Sequence, residues 1–166
     1  MHTAVFISYA RIKDQYGGVT KFHSALDKAV KERFNMETQV FMDKKGITAG
    51  ENFNDVIKAQ LKEASVLIIF LSPVWLSRPI CREEYQYFKS LQNSNDKKRF
   101  IIPILYLNVD ISDAEDDEAR KILEELAPLD QIDWKKLKLQ KNYANSVKLG
   151  AAIEDLADNI KKKIKS

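Results

Sequence analysis

Cysteine is almost missing from this chain. Cys81 stands alone among 166 residues, which excludes an internal disulfide framework and any zinc site built on a cysteine cluster. Histidine is nearly as scarce: His2 precedes the first strand and His23 falls inside a helical pattern, so neither a Ser-His-Asp arrangement nor a histidine-rich metal site is expected. No apolar stretch approaches the roughly 18 residues of a membrane-spanning helix. The opening MHTAVFISYA lacks the basic and apolar regions of a signal peptide. A soluble, cytoplasmic protein with no membrane partner is expected. The phosphate cradles G-x-G-x-x-G and G-x-x-x-x-G-K-[ST] are absent too. Neither charge dominates: 27 Lys and Arg against 24 Asp and Glu leave +3, a solvated surface with no nucleic-acid footprint. The late lysine clusters, Lys135 to Lys141 and Lys161 to Lys165, read as solvated helix ends, where lysines complement the helix dipole.

What the chain does have is an alternation of strand and helix patterns over a length natural for one domain, residues 1–166. Its centre is Val66 to Leu71, an unbroken apolar run that reads as a strand buried on both faces. Ala4 to Ser8, Thr38 to Met42 and Phe100 to Leu105 read as further strands, and Gln131 to Asp133 as a brief fifth. Pro103 suits a position near a sheet edge. Between them, apolar residues recur at helical spacing: Val19, Phe22, Leu26, Ala29, Val30 and Phe34 from about Thr20 to Phe34, then Phe53, Val56, Ile57, Leu61 and Ala64. A short loop after Ser72-Pro73 leads to a helix from Pro79 to Leu91, with Glu83 and Glu84 in its opening turns. Asn108 to Glu118 holds six acids and reads as an exposed loop before a helix at Ala119 to Leu126. The last helix starts near Asn142, with Val147, Ala151, Leu156, Ile160 and Ile164 on one face. This order predicts an α/β, flavodoxin-like three-layer fold. Its five-stranded parallel sheet has order 2-1-3-4-5, with helices on both faces.

Parallel sheets build their sites at the carboxyl edge. Three loops converge there: Ser8 to Arg11, Asp43 to Asn52 and Ser72 to Glu84. They bring a hydroxyl (Ser8), aromatics (Tyr9, Phe53, Trp75), a guanidinium (Arg11) and carboxylates (Asp43, Glu83, Glu84). No nucleophile–base pair stands out. The mixture suits a nucleotide-like ligand, with aromatic faces for a base, Arg11 for phosphate and a carboxylate for ribose hydroxyls. A phosphoacceptor receiver, which shares the strand order, needs acids where Ser8-Tyr9-Ala10-Arg11 stand. Plainer readings remain beside these. Acids early in a helix stabilise it through the dipole. Asp43 can simply end a strand and start a turn. Trp75 can cap the core, Tyr9 and Arg11 can form a surface pair, and Cys81 can be a small buried apolar residue.

The ordered motifs resemble the Toll/interleukin-1 receptor (TIR) domain family, particularly its bacterial members. VFISYAR (Val5 to Arg11) is similar to the family's first motif. VFMDKKGITAGENF (Val40 to Phe53) looks like its strand plus long "BB loop", with Asp43, Gly46, Ile47 and Gly50 in the corresponding places. LSPVWLSRPICREEY (Leu71 to Tyr85) is similar to the segment leading to the catalytic glutamate, and IIPILY (Ile101 to Tyr106) and IDW (Ile132 to Trp134) are weaker matches.

The resemblance implies cleavage of NAD at the nicotinamide–ribose bond, as an NAD glycohydrolase or ADP-ribosyl cyclase, with NAD as substrate and no resident cofactor or metal. It implies Glu84 as the catalytic residue, because that glutamate lies three positions after a Cys-like residue, here Cys81. Ser8, Tyr9, Arg11, Asp43, Phe53, Trp75 and Cys81 are the implied substrate-binding set. Several family members carry Trp immediately before the Cys-like position, where this chain has Ile80. A stacking role would then pass to Trp75, Tyr9 or Phe53. The resemblance further implies activation by self-association through the loop Asp43 to Asn52 and neighbouring helices, a setting in bacterial antiphage signalling, and excision from a longer protein with a C-terminal sensor or oligomerisation module. The alternative it allows is a non-catalytic TIR–TIR interaction module. The chemistry suits a chain poor in histidine. Nicotinamide leaves NAD as a neutral molecule, so the second carboxylate of ordinary glycosidases, which protonates a poor leaving group, is not needed.

Overall fold

The computed structural model describes residues 1–10, 18–42, 55–135 and 147–166. Five parallel strands lie side by side in the order β2-β1-β3-β4-β5, as the alternation predicts. They are β1 (His2–Ser8), β2 (Thr38–Met42), β3 (Val66–Leu71), β4 (Phe100–Leu105) and β5 (Ile132–Asp133). The helices are α1 (Gly18–Arg33), α2 (Asp55–Glu63), α3 (Pro73–Ser77), α4 (Pro79–Gln92), α5 (Asp117–Leu126) and α6 (Val147–Lys165).

All six residues of β3 are buried because the strand has a helical layer on each side. Val66, Ile68 and Phe70 point into the layer made by α1 and α6, alongside Phe22, Leu26, Ile153 and Leu156. Leu67, Ile69 and Leu71 point into the opposite layer, alongside Ile57, Leu61, Trp75, Tyr85, Phe88 and Ile122 from α2 to α5. The period of two along a strand thus feeds two separate cores.

Four local expectations are corrected. Val56 is 62% exposed and Val147 88% exposed, and Ala151 also faces outward. The buried stripe of α6 runs instead through Leu149, Ile153, Leu156, Ala157 and Ile160. The stretch after Ser72 is a helical turn rather than a loop. The Ser72 side chain accepts from Trp75 N at 3.1 Å, and Pro73 takes the first helical position, where its missing N–H is harmless. Part of the acidic stretch is ordered as well: Ile111–Asp113 forms a 3-10 turn closed by a capping box between Asp110 and Asp113, and Asp116 caps α5.

Pro103 sits in β4, an interior strand, yet its environment is that of an edge. Trp134 N donates to Leu105 O, so the odd-numbered peptide groups of β4 face β5. β5 pairs only with Ile104 and Leu105, so the absent N–H of Pro103 points where no strand lies. The predicted start of the last helix near Asn142 lies outside the described residues. So does the Asp43 to Asn52 loop.

Candidate active site

β1 and β3 run parallel with Ser8 beside Ile69, so the end of β1 opens onto the segment that follows β3. That segment folds back as α3 and then α4. Pro79 starts α4, which puts Glu83 and Glu84 in its second turn, beyond the first-turn N–H groups that favour acids electrostatically. Their shared dipole reading therefore weakens, and the helix separates them: Glu83 is exposed, while Glu84 is only 7% exposed. Cys81 precedes Glu84 by three residues and shares its face of the helix.

Ser8 Oγ donates to Glu84 Oε1 at 2.8 Å. Trp75 Nε1 donates to Ser8 Oγ at 3.0 Å. Ser8 is 1% exposed and Trp75 fully buried, so three distant segments close on one carboxylate away from bulk water. A hydrogen bond to a charged acceptor contributes about 1.5–3 kcal/mol, and stranding a buried partner costs comparably. Cys81 lies against the same group. Burial is the main cause that pushes its thiol well above the ordinary range. The neighbouring Glu84 charge pushes it in the same direction, while Arg78 and a hydrogen bond with Ser8 oppose the rise. Cys81 is therefore a protonated thiol and not a nucleophile.

Behind this group, the Trp75 ring meets Tyr85 edge to face, with centroids 6.3 Å apart. Tyr85 Oη donates to Glu125 Oε2 on α5 at 2.6 Å, and Lys89 Nζ reaches the same oxygen at 3.1 Å. Burial of Glu125 works to raise its pKa, but the hydrogen bonds from Tyr85 and Lys89 prevail and the net shift is downward.

Of the expected site residues, Ser8, Trp75, Cys81 and Glu84 come together. Trp75 joins through its indole N–H, its ring enclosed in the core. Tyr9 is half-buried and packs against the α1–α6 core. Arg11, Asp43 and Phe53 lie outside the described residues. The sequence reading passed over Tyr85 and Glu125. Tyr85 directly follows Glu84, but nothing local marks Glu125, 40 residues further on, as its partner. Among the described residues, no helix is long and apolar enough to cross a membrane, and no group of three or more His, Cys, Asp or Glu side chains could hold a metal ion.

A buried carboxylate at the carboxyl edge of a 2-1-3-4-5 sheet, preceded by Cys81 and bonded to the serine of the first strand, agrees with a sequence-family match. The TIR domain model covers residues 5–147. The chain belongs to the TIR domain family. No curated protein matches the sequence. Among solved structures, the TIR domains of the activated Roq1 resistosome, which directly recognises the pathogen effector XopQ, are similar. They share 17% identity at a TM-score of 0.59, covering 96% of this chain and 99% of that one. A TIR domain from the RPS4 and RRS1 heterodimer shares 15% identity at a TM-score of 0.51, covering 99% of each chain. At these identities the likeness shows the fold. The TIR fold of this chain thus carries its only buried acid among the described residues, Glu84, at the edge where β1, α3 and α4 meet.

Proposed function

We propose that this TIR domain is an NAD glycohydrolase or ADP-ribosyl cyclase in which Glu84 is the catalytic residue. The observation that carries the reading is the buried Glu84 carboxylate held by Ser8 at the sheet's carboxyl edge. The C1′–N bond breaks with its electron pair passing to the nicotinamide ring, which leaves neutral, and positive charge develops on the ribose. Glu84 holds the ribose hydroxyls and stabilises that charge, so no general acid is required. Attack by water at C1′, with loss of its proton to solvent, gives ADP-ribose. Attack by an adenine nitrogen gives a cyclic isomer. NAD is the substrate, and the reaction calls for no resident cofactor.

Self-association completes the active form in this reading, and bacterial antiphage signalling is its setting. Support for the self-association comes from the similar Roq1 and RPS4–RRS1 TIR domains, which were solved within a resistosome and a heterodimer. The test is incubation of concentrated protein with NAD, with products followed by chromatography and mass spectrometry. Wild-type protein should release nicotinamide, and folded Glu84→Ala should not. Sustained cleavage by that variant would overturn the role of Glu84. A folded, assembled wild type that never consumes NAD would favour the non-catalytic TIR–TIR module instead.

A further inference from the structure

The geometry at Ser8 has a direction. An indole N–H can only donate. At 3.0 Å from Ser8 Oγ, Trp75 Nε1 therefore occupies an acceptor position of the hydroxyl. The buried Cys81 sulfur, a weak acceptor, lies near the same hydroxyl. With the indole side closed to it, the hydroxyl's single proton finds its strongest remaining acceptor in Glu84 Oε1, 2.8 Å away. A serine without such a neighbour can rotate and accept a proton from a carboxylic acid just as well as donate to a carboxylate. This one can do so only by turning its own proton toward the Cys81 sulfur, a much weaker acceptor, because the indole already holds one of its two lone pairs.

We propose that Trp75 is a positioning residue that acts through Ser8, fixing the hydroxyl as a donor so that Glu84 is held as an oriented, ionised carboxylate. The inference rests on Glu84 being the catalytic acid of the reading above, and it adds a role for a tryptophan whose ring is wholly enclosed. Three described elements bring groups to the carboxylate. From α4, Cys81 lies beside it with Arg78 beyond the thiol, and Glu83 turns outward. β1 presents Ser8 and α3 presents Trp75, neither of which ionises near neutral pH.

The experiment is a double-mutant cycle with Trp75→Phe and Ser8→Ala. The phenyl ring keeps most of the packing and removes only the donor. In Trp75→Phe, kcat should fall about tenfold, with KM moving little, and the acidic limb of the pH–rate profile should shift toward higher pH by roughly half a unit or more. Ser8→Ala should show the same two changes. Adding Trp75→Phe to Ser8→Ala should cost little more, since the hydroxyl it orients has gone. A tryptophan that matters only for packing would lower activity equally in both backgrounds and leave the pH profile in place. That result would overturn the inference.

A second readout needs no turnover. The carboxyl carbon shift of Glu84 should titrate at higher pH in folded Trp75→Phe than in wild type, and unchanged titration would overturn the relay even if NAD is cleaved. Should wild type leave NAD intact while the titration moves as expected, the relay stands and the catalytic reading falls. If Trp75→Phe does not fold, Trp75→Leu takes its place in the same titration: a shift to higher pH supports the relay, and an unmoved curve overturns it.

Discussion

Tyr85, the residue after Glu84, anchors its phenol to Glu125 on a different helix, 2.6 Å away. The bond ties α4 to α5 directly behind the candidate carboxylate. Tyr85→Phe keeps the ring in the core and removes the donor, while Glu125 keeps Lys89 and part of its solvent contact. The expected loss is about 1 kcal/mol, or roughly 2–4 °C in Tm, measurable by thermal or denaturant unfolding. Activity should fall less than in Ser8→Ala, because Glu84 keeps its direct donor.

Arg99 should be far more sensitive. Its side chain is fully enclosed beside Asp96. It donates to Leu91 O near the end of α4 at 3.1 Å and to Lys62 O near the end of α2 at 2.9 Å. These are carbonyls that helix ends leave unpaired, and a cation there also suits the dipole. Arg99→Ala takes the donor from Lys62 O, while Leu91 O keeps Ser94, and it empties a fully enclosed site, so it should cost about 2–3 kcal/mol in denaturant unfolding. Asp96→Ala removes a half-exposed partner and should cost much less.

Stability should fall in acid, and for nameable reasons. The Asp96 carboxyl is depressed chiefly by its hydrogen bond from Arg99, Asp116 by the backbone N–H of Ala119 and then Arg82, and Asp158 by Arg33. Each binds its proton less readily folded than unfolded. The stabilisation is therefore present above the unfolded carboxylate range and lost as pH drops through the folded values. Tm should hold steady above about pH 5 and decline below about pH 4. Asp96→Asn should flatten that decline, and an identical slope would show that Asp96 does not contribute to it.

If self-association completes the active form, specific activity should rise with protein concentration and then level off. A flat specific activity over a hundredfold range of dilution would show a monomer complete in itself.

Much of the sheet was legible in the sequence. Val66 to Leu71 has no polar position, and only a strand covered on both sides can hold such a run, so its bounds and central place followed together. Helix faces were harder to read. In α6, Val147 and Ala151 lie two residues before Leu149 and Ile153, nearly opposite them around the helix, and small aliphatic residues alone do not say which series is buried. The α3 turn was missed although Ser72 and Pro73 are strong start signals, because five residues offer too little periodicity to notice. At the site, Ser8 and Glu84 were both singled out. That they touch, and that Trp75 meets them through its nitrogen, depends on crossovers of 76 and 67 residues. Local spacing carries no information at that range.

Those same separations set when the site can exist. β1 is made first but sits between β2 and β3, so its last residue stays without Glu84 until the ribosome has released α4. Closing such long loops is slow and comes late in folding. A nascent or partly unfolded chain therefore has the carboxylate without its serine. The carboxylate and its serine come together in one step, once β1 has paired with β3 and α4 has folded back over them.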